Sequence, residues 1–199
     1  MSTECFLRIA LLCMLIMPMQ WLMSQDSVRA DEGAFSFLVK PYVQFGDAPR
    51  LRRQEQMVIT WHAADEEAAW LVEYRTESSA AWESTQAPSW NEVAVGETVP
   101  HRVYRGVIDR LVPGELFRYR VTRDGETVFT SSARARRPRD QSHRCVVMGD
   151  CGTGSAGQKL VATQVHKVNP EYVMIPGDLV YNNGLISEYR QRFFPIYNT

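Results

Sequence analysis

The spacing of hydrophobic positions takes three forms along the chain. From Ile9 to about Met23 they run nearly unbroken behind Arg8, interrupted by Pro18 and Gln20. From Phe35 to Thr130 they fall into short alternating stretches. Met57, Ile59 and Trp61 alternate with Val58 and Thr60. Trp70, Val72 and Tyr74 alternate with Leu71, Glu73 and Arg75, and Phe117, Tyr119 and Val121 with Arg118 and Arg120. A period of two predicts half-buried strands, and Val112-Pro113-Gly114 and Asp124-Gly125 predict the turns between them. Regularly spaced strands of this kind make a β-sandwich. From about Arg144 the alternation stops. Cys145-Val146-Val147-Met148 and Tyr172-Val173-Met174-Ile175 are continuous apolar runs, the pattern of strands buried on both faces of a parallel sheet. Between them Leu160, Val161, Gln164, Val165 and Val168 follow helical spacing, with Ser155 as cap and Asn169-Pro170 as stop. The second region therefore reads as a β-α-β unit whose two strands run the same way.

The chain has 199 residues, 45% hydrophobic and 23% charged, with a formal net charge of -1. That balance gives no reason to expect nucleic acid or an acidic membrane as partner. The first apolar run falls short of the roughly 20 residues a spanning helix needs. Val28 and Ala30 stand as the small residues before a cut at Ala30–Asp31. Residues 1–30 thus read as an export signal, its product secreted or periplasmic with no stable membrane insertion after cleavage; an uncleaved N-terminal anchor is the alternative. Cys5 and Cys13 belong to that segment. Cys145 and Cys151 are expected to stay unpaired, because six residues of extended chain span roughly 20 Å and bridged Cα atoms lie about 5.5–6 Å apart. Cys145 is expected to be buried in its strand. Cys151 has two readings, turn residue or metal ligand, the first favoured.

Each continuous run closes on a Gly-Asp pair: Gly149-Asp150-Cys151-Gly152 and Gly177-Asp178-Leu179-Val180-Tyr181. Both aspartates leave the sheet at the edge where open α/β sheets bind ligands. Two hard oxygen anions brought together there suit a metal pair. Among the four histidines, His62 and His101 sit in strand patterns and read as structural, and His143 falls in a linker. Arg134, Arg136, Arg137, Arg139 and Arg144 crowd around Pro138, either as a patch for anions or, the favoured reading, as a solvated linker. Trp82 and Trp90 flank the Gln86-Ala87-Pro88-Ser89 loop and read as satellite core or as a surface contact.

Two resemblances build on these residues. Leu111-Val112-Pro113-Gly114-Glu115-Leu116-Phe117-Arg118-Tyr119-Arg120-Val121 resembles the E–F corner of a fibronectin type III domain, with Trp61 and Tyr74 at that fold's strand-B tryptophan and strand-C tyrosine. The corner tyrosine of that family aligns with Phe117, which has no hydroxyl, so packing alone is expected to hold the corner. The GDxG of residues 149–152 and the GDxxY of residues 177–181 resemble the first two blocks of the purple acid phosphatase branch of the calcineurin-like metallophosphoesterases. A fibronectin-like domain ahead of these blocks resembles that branch too.

The resemblance implies a fold class: an N-terminal all-β sandwich, fibronectin type III-like, followed by the start of an α/β metallophosphoesterase domain, β-α-β-α and incomplete. It implies a sandwich over 31–133, a basic linker over 134–143 and the beginning of the phosphoesterase domain over 144–199. It implies that Asp150, Asp178 and Tyr181 are metal ligands, Asp178 as bridge and Tyr181 as phenolate, in a binuclear centre of Fe(III) and a divalent iron, zinc or manganese. The implied activity is hydrolysis of phosphoric monoesters, and the implied partner a phosphate-ester substrate; no oligomeric state follows. The asparagine-histidine block and the two histidine-bearing loops of that family have no counterpart in the sequence. The chain is thus expected to be a fragment that does not turn over phosphate esters alone, its segment from Tyr189 to Tyr197 resembling the stretch before the asparagine-histidine block. The alternative of another class is a non-catalytic secreted protein whose sandwich binds a partner.

Overall fold

A computed structural model describes residues 35–47, 53–79, 81–96 and 98–198. The expected export segment lies outside the described residues. Two four-stranded antiparallel sheets make up the first region. One contains β1 (Val39–Phe45), β2 (Glu55–Ala64), β5 (Ser89–Val93) and β6 (His101–Leu111) in the order β1-β2-β6-β5. The other contains β3 (Trp70–Thr76), β4 (Glu83–Ser84), β7 (Leu116–Arg123) and β8 (Glu126–Arg134) in the order β4-β3-β7-β8. Their inner faces share one core containing Ile59, Trp61, Val72, Ile108, Phe117 and Val121. Trp61 stacks on Tyr104, ring centroids 5.2 Å apart and planes 7° from parallel. The alternation read from β3 and β7 is the alternation of their burial.

In β2 it is not. Val58 and Thr60, expected on a solvated face, are buried like the core positions beside them, and so is His62, read as structural. The cause is a second layer. A short helical run at the end of the chain, α2 (Ile186–Glu188), a π-turn (Tyr189–Phe193) and α3 (Phe194–Tyr197), lies against the outer face of the first sheet. Phe194 sits 5.6 Å from the Tyr42 ring and 5.7 Å from His62, and Asn198 Nδ2 donates to the Lys40 carbonyl at 2.7 Å.

The corner after β6 is not held by packing alone. Phe117 and Leu111 are buried, and Gly114 takes φ +83°, a conformation glycine adopts without strain. Polar ties add to this. The Glu115 carboxylate accepts from Ser78 Oγ at 2.7 Å, and Arg134 Nη1 donates to the Gly114 carbonyl at 2.6 Å. The start of the arginine-rich segment that follows is docked, whereas residues 139–144 are exposed to solvent. Ala135 is buried. Arg136 pairs at 2.7 Å with Glu55, whose carboxylate is almost wholly enclosed, and Arg137 pairs with Glu171 at 2.6 Å. A buried carboxylate requires such a partner, which is why the start of the segment cannot float.

Beyond it, β9 (Cys145–Val147) and β10 (Tyr172–Met174) pair in parallel, Tyr172 opposite Cys145 and Met174 opposite Val147. Between them runs α1 (Ala156–Val168), capped by Ser155 Oγ and ended by Asn169 at φ 49°, the limits that its sequence predicts. The expected two-sided burial is absent among the described residues. Val147 is 63% exposed and Leu160 68%; Cys145 is exposed, and the buried thiol is Cys151. Covering a parallel sheet takes helices on both faces. Here two strands meet one helix, and that helix buries Gln158 while Leu160 and Val161 face outward.

Candidate metal site

Parallel pairing brings the two strands out side by side. The ladder extends through Met148, whose N–H donates to the Met174 carbonyl at 3.1 Å, and the chain then turns at each aspartate. Asp150 lies at φ 52° and Asp178 at φ 55°. This left-handed region is costly for residues with a Cβ, less so for aspartate, and recurs at functional sites. The positive φ falls on the aspartates and not on the preceding Gly149 and Gly177.

The loops are tied by Cys151 N–H donating to the Asp178 carbonyl at 3.1 Å. Gly152 is required there: a Cβ would overlap the Leu179 carbonyl and the Val180 Cα.

Tyr181 closes the arrangement. Its hydroxyl donates to Asp150 Oδ1 in a short hydrogen bond. The Asp150 carboxylate, by accepting that proton, is the main cause holding the Tyr181 phenol well above its ordinary range, with burial and a hydrogen bond to Asp178 adding to it. The two carboxylates and the phenol named from sequence therefore meet at one solvent-facing point, an all-oxygen set of the kind that hard cations prefer.

The histidines take no part. His62 and His101 stack 5.5 Å apart beneath Arg190 and Phe194, His143 lies beside Tyr172, and His166 is exposed on α1. The Cys151 thiol donates to the Asp178 carbonyl, and burial pushes its pKa up. Among the described residues no three His, Cys, Asp or Glu side chains form a metal-holding group.

Three supporting residues escaped the sequence reading. Gln158 Oε1 accepts from Gly154 N–H at 2.6 Å, and its Nε2 donates to the Arg192 carbonyl at 2.7 Å, linking the first loop to the terminal helical run. Arg192 donates to the Tyr181 carbonyl. Glu188 Oε2 accepts from Asn183 and Leu185 N–H at 3.1 and 3.0 Å, and these bonds, the one from Leu185 first, lower its pKa. A signal for one of them was available. Ser155-Ala156-Gly157-Gln158 has capping-box spacing, although the glutamine reaches Gly154 and not the cap residue's own N–H. Trp82 and Trp90 belong to no core. Trp82 lies 4.5 Å from the Arg120 guanidinium, and Trp90, 46% exposed, lies 4.1 Å from that of Arg102.

No family model matches the sequence, and no curated protein does. Among solved structures, the fold is similar to that of a purple acid phosphatase isolated from yellow lupin (Lupinus luteus) seeds, with a TM-score of 0.65 at 20% sequence identity over 79% of this chain. The match spans 32% of the lupin chain. Astrotactin-2 is also matched, over 66% of this chain and 25% of its own at 13% identity, but its TM-score of 0.32 carries no structural argument. The lupin likeness is one of fold: a mostly β architecture with a few helices, shared with part of a purple acid phosphatase.

Proposed function

We propose that Asp150, Asp178 and Tyr181 are metal ligands of a phosphoric-monoester hydrolase of the acid phosphatase type, carried by a chain exported through its first 30 residues. The carrying observation is the hydrogen bond from Tyr181 to Asp150 beside Asp178, at the outgoing ends of two parallel strands. The likeness to the lupin enzyme supports the reading at the level of fold. On this reading residues 31–133 are the scaffold, 134–143 the connection and 144–199 the beginning of the phosphoesterase domain.

The donor set fits a hard cation. Tyr181 now holds a proton between two oxygens, and a cation there would replace that proton and favour the phenolate. A pair of such ions, Fe(III) with divalent iron, zinc or manganese, would supply charge neutralisation and Lewis acidity to a phosphate ester. Asp150 and Asp178 fix the position of the charge through their turns. Arg192, donating to the Tyr181 carbonyl, holds the phenol toward them. Because no histidine joins these three oxygen donors, we expect metal binding without turnover of phosphate esters by the 199-residue chain.

Titrating the chain with Fe(III) tests the assignment. A visible phenolate-to-iron absorption band is expected, abolished in Tyr181→Phe and weakened in Asp150→Asn. Colour unchanged in Tyr181→Phe, or no saturable binding, would sink it. The non-catalytic reading, a sandwich that binds a partner, draws on the exposed Trp90 and gains ground if the titration fails.

A further inference from the structure

At the other end of the β9/β10 pair lies a second constellation, of opposite charge. A pocket of about 700 Å³ opens between the end of the sandwich and the amino ends of the two parallel strands. Ser132 and Arg134 of β8, with Arg137, His143, Arg144 and Glu171, line it. Among the described residues that line it, Glu171 is the one carboxylate, and it is engaged by both Nε and Nη2 of Arg137, at 2.9 and 2.6 Å. Arg134 and Arg144 are held differently. Each donates one Nη1 bond to a neutral carbonyl, Gly114 at 2.6 Å and Val168 at 2.8 Å. Those bonds hold the guanidinium groups, Arg144 at the carbonyl end of α1. Three guanidinium cations against one carboxylate leave the lining net positive.

The geometry points to a phosphate-binding pocket, one that takes a phosphate-type oxyanion carrying at least two negative charges. Guanidinium forks match the tetrahedral oxygens of phosphate and bind them through charge-assisted hydrogen bonds. Ser132, also in the lining, can add a neutral hydroxyl donor. The volume lies within the range of small-molecule sites, about 300–1,000 Å³, and exceeds what a bare phosphate fills, so an organic phosphate fits it better. The pocket is separate from the carboxylate pair. A strand advances about 3.3 Å per residue, so Arg144 and Asp150 stand at opposite ends of the β9 segment.

Calorimetric titration of the full 199-residue chain with inorganic phosphate and with glucose 6-phosphate, in EDTA and low salt, tests this. With chelator present the carboxylates at the far end repel an anion, so binding reports on the arginines. Saturable binding is expected, weakened at least about tenfold in the Arg134→Gln/Arg144→Gln double variant and unchanged in Asp178→Asn. Tighter binding of glucose 6-phosphate identifies an organic phosphate as the source, and equal binding identifies the free ion. The single variant Arg144→Gln, at an exposed residue, is expected to weaken binding on its own with the urea-unfolding midpoint unchanged. Absence of saturable binding, indifference to the arginine variants, or an equal loss in Asp178→Asn would each overturn the assignment. None of these outcomes bears on the Fe(III) titration, which addresses the other end of the strands.

Discussion

The sandwich and the β9-α1-β10 unit are both rich in apolar side chains, and they use them in opposite ways. In the sandwich, Trp61, Phe117, Ile59 and Ile108 are enclosed from both sheets. In the second unit Val147, Val173, Met174, Leu160 and Val161 stay exposed. Yet the second unit holds the more exacting geometry, three oxygen groups converging from two loops. Backbone approach and polar ties supply it: Cys151 to Asp178, Gln158 to Gly154 and Arg192, Arg192 to Tyr181. One region is organised by burial, the other by hydrogen bonds near the surface. Perturbations should separate them.

The largest separation is expected from truncating one apolar residue in each. Trp61→Ala removes a fully buried indole stacked on Tyr104 and should cost about 3–5 kcal/mol in urea unfolding. Val147→Ala, at a mostly exposed strand position, should cost less than about 1 kcal/mol. Comparable losses would mean that both regions rest on covered apolar surface, and the contrast would fail.

A second test addresses the layer where the regions meet. Burial, then the neighbouring His101 and Arg190, lower the His62 pKa to about 4. His101 is lowered too, by burial and then by Arg190. His62 Nδ1 and two Arg190 nitrogens are buried without a hydrogen-bond partner among the described residues. A folded pKa below the unfolded value of about 6.5 means that the unfolded chain takes up the proton first. Stability is therefore fully present above about pH 6.5 and declines as the pH falls toward 4. For His62 the loss between pH 7 and 4.5 should be about 2–3 kcal/mol. His62→Leu should flatten that part of the urea-unfolding profile, since a leucine has nothing to protonate. An unchanged slope would place the pH sensitivity elsewhere.

How much of this was legible in sequence follows from the same contrast. Alternation gave β3 and β7 with their faces, because one covered face and one solvated face leave a period of two. It misassigned the outer side of β2, since the helical run that covers it comes from more than 120 residues later in the chain, roughly the separation of His62 and Phe194. The continuous runs led to the right elements, cap and stop, but to the wrong burial, because burial depends on how many neighbours a strand finds. The three oxygen groups were legible as motifs. Gln158, Glu188 and Arg192 were not, because their partners are backbone atoms of distant loops, which leave no spacing pattern.

The smallest expected energetic effect carries the most information about the second region. Gly152 and Gly177 stand in equivalent blocks, GDxG and GDxxY, and the sequence gives no ground for ranking them. The structure does. A methyl group on Gly152 would collide with the Leu179 carbonyl and Val180 Cα, backbone atoms that no rotamer change removes, whereas one on Gly177 meets nothing within 4 Å. Gly152→Ala should cost about 1–3 kcal/mol as an overpacking strain, and it should also weaken the Fe(III) band, because parting the loops separates Asp150 from Asp178 and Tyr181. Gly177→Ala should leave stability within about 0.5 kcal/mol and the band intact. If both glycines tolerate alanine, the loops are not held by close backbone approach. If Gly152→Ala destabilises the fold but leaves the colour unchanged, the three oxygen groups are positioned independently of the contact that joins their loops.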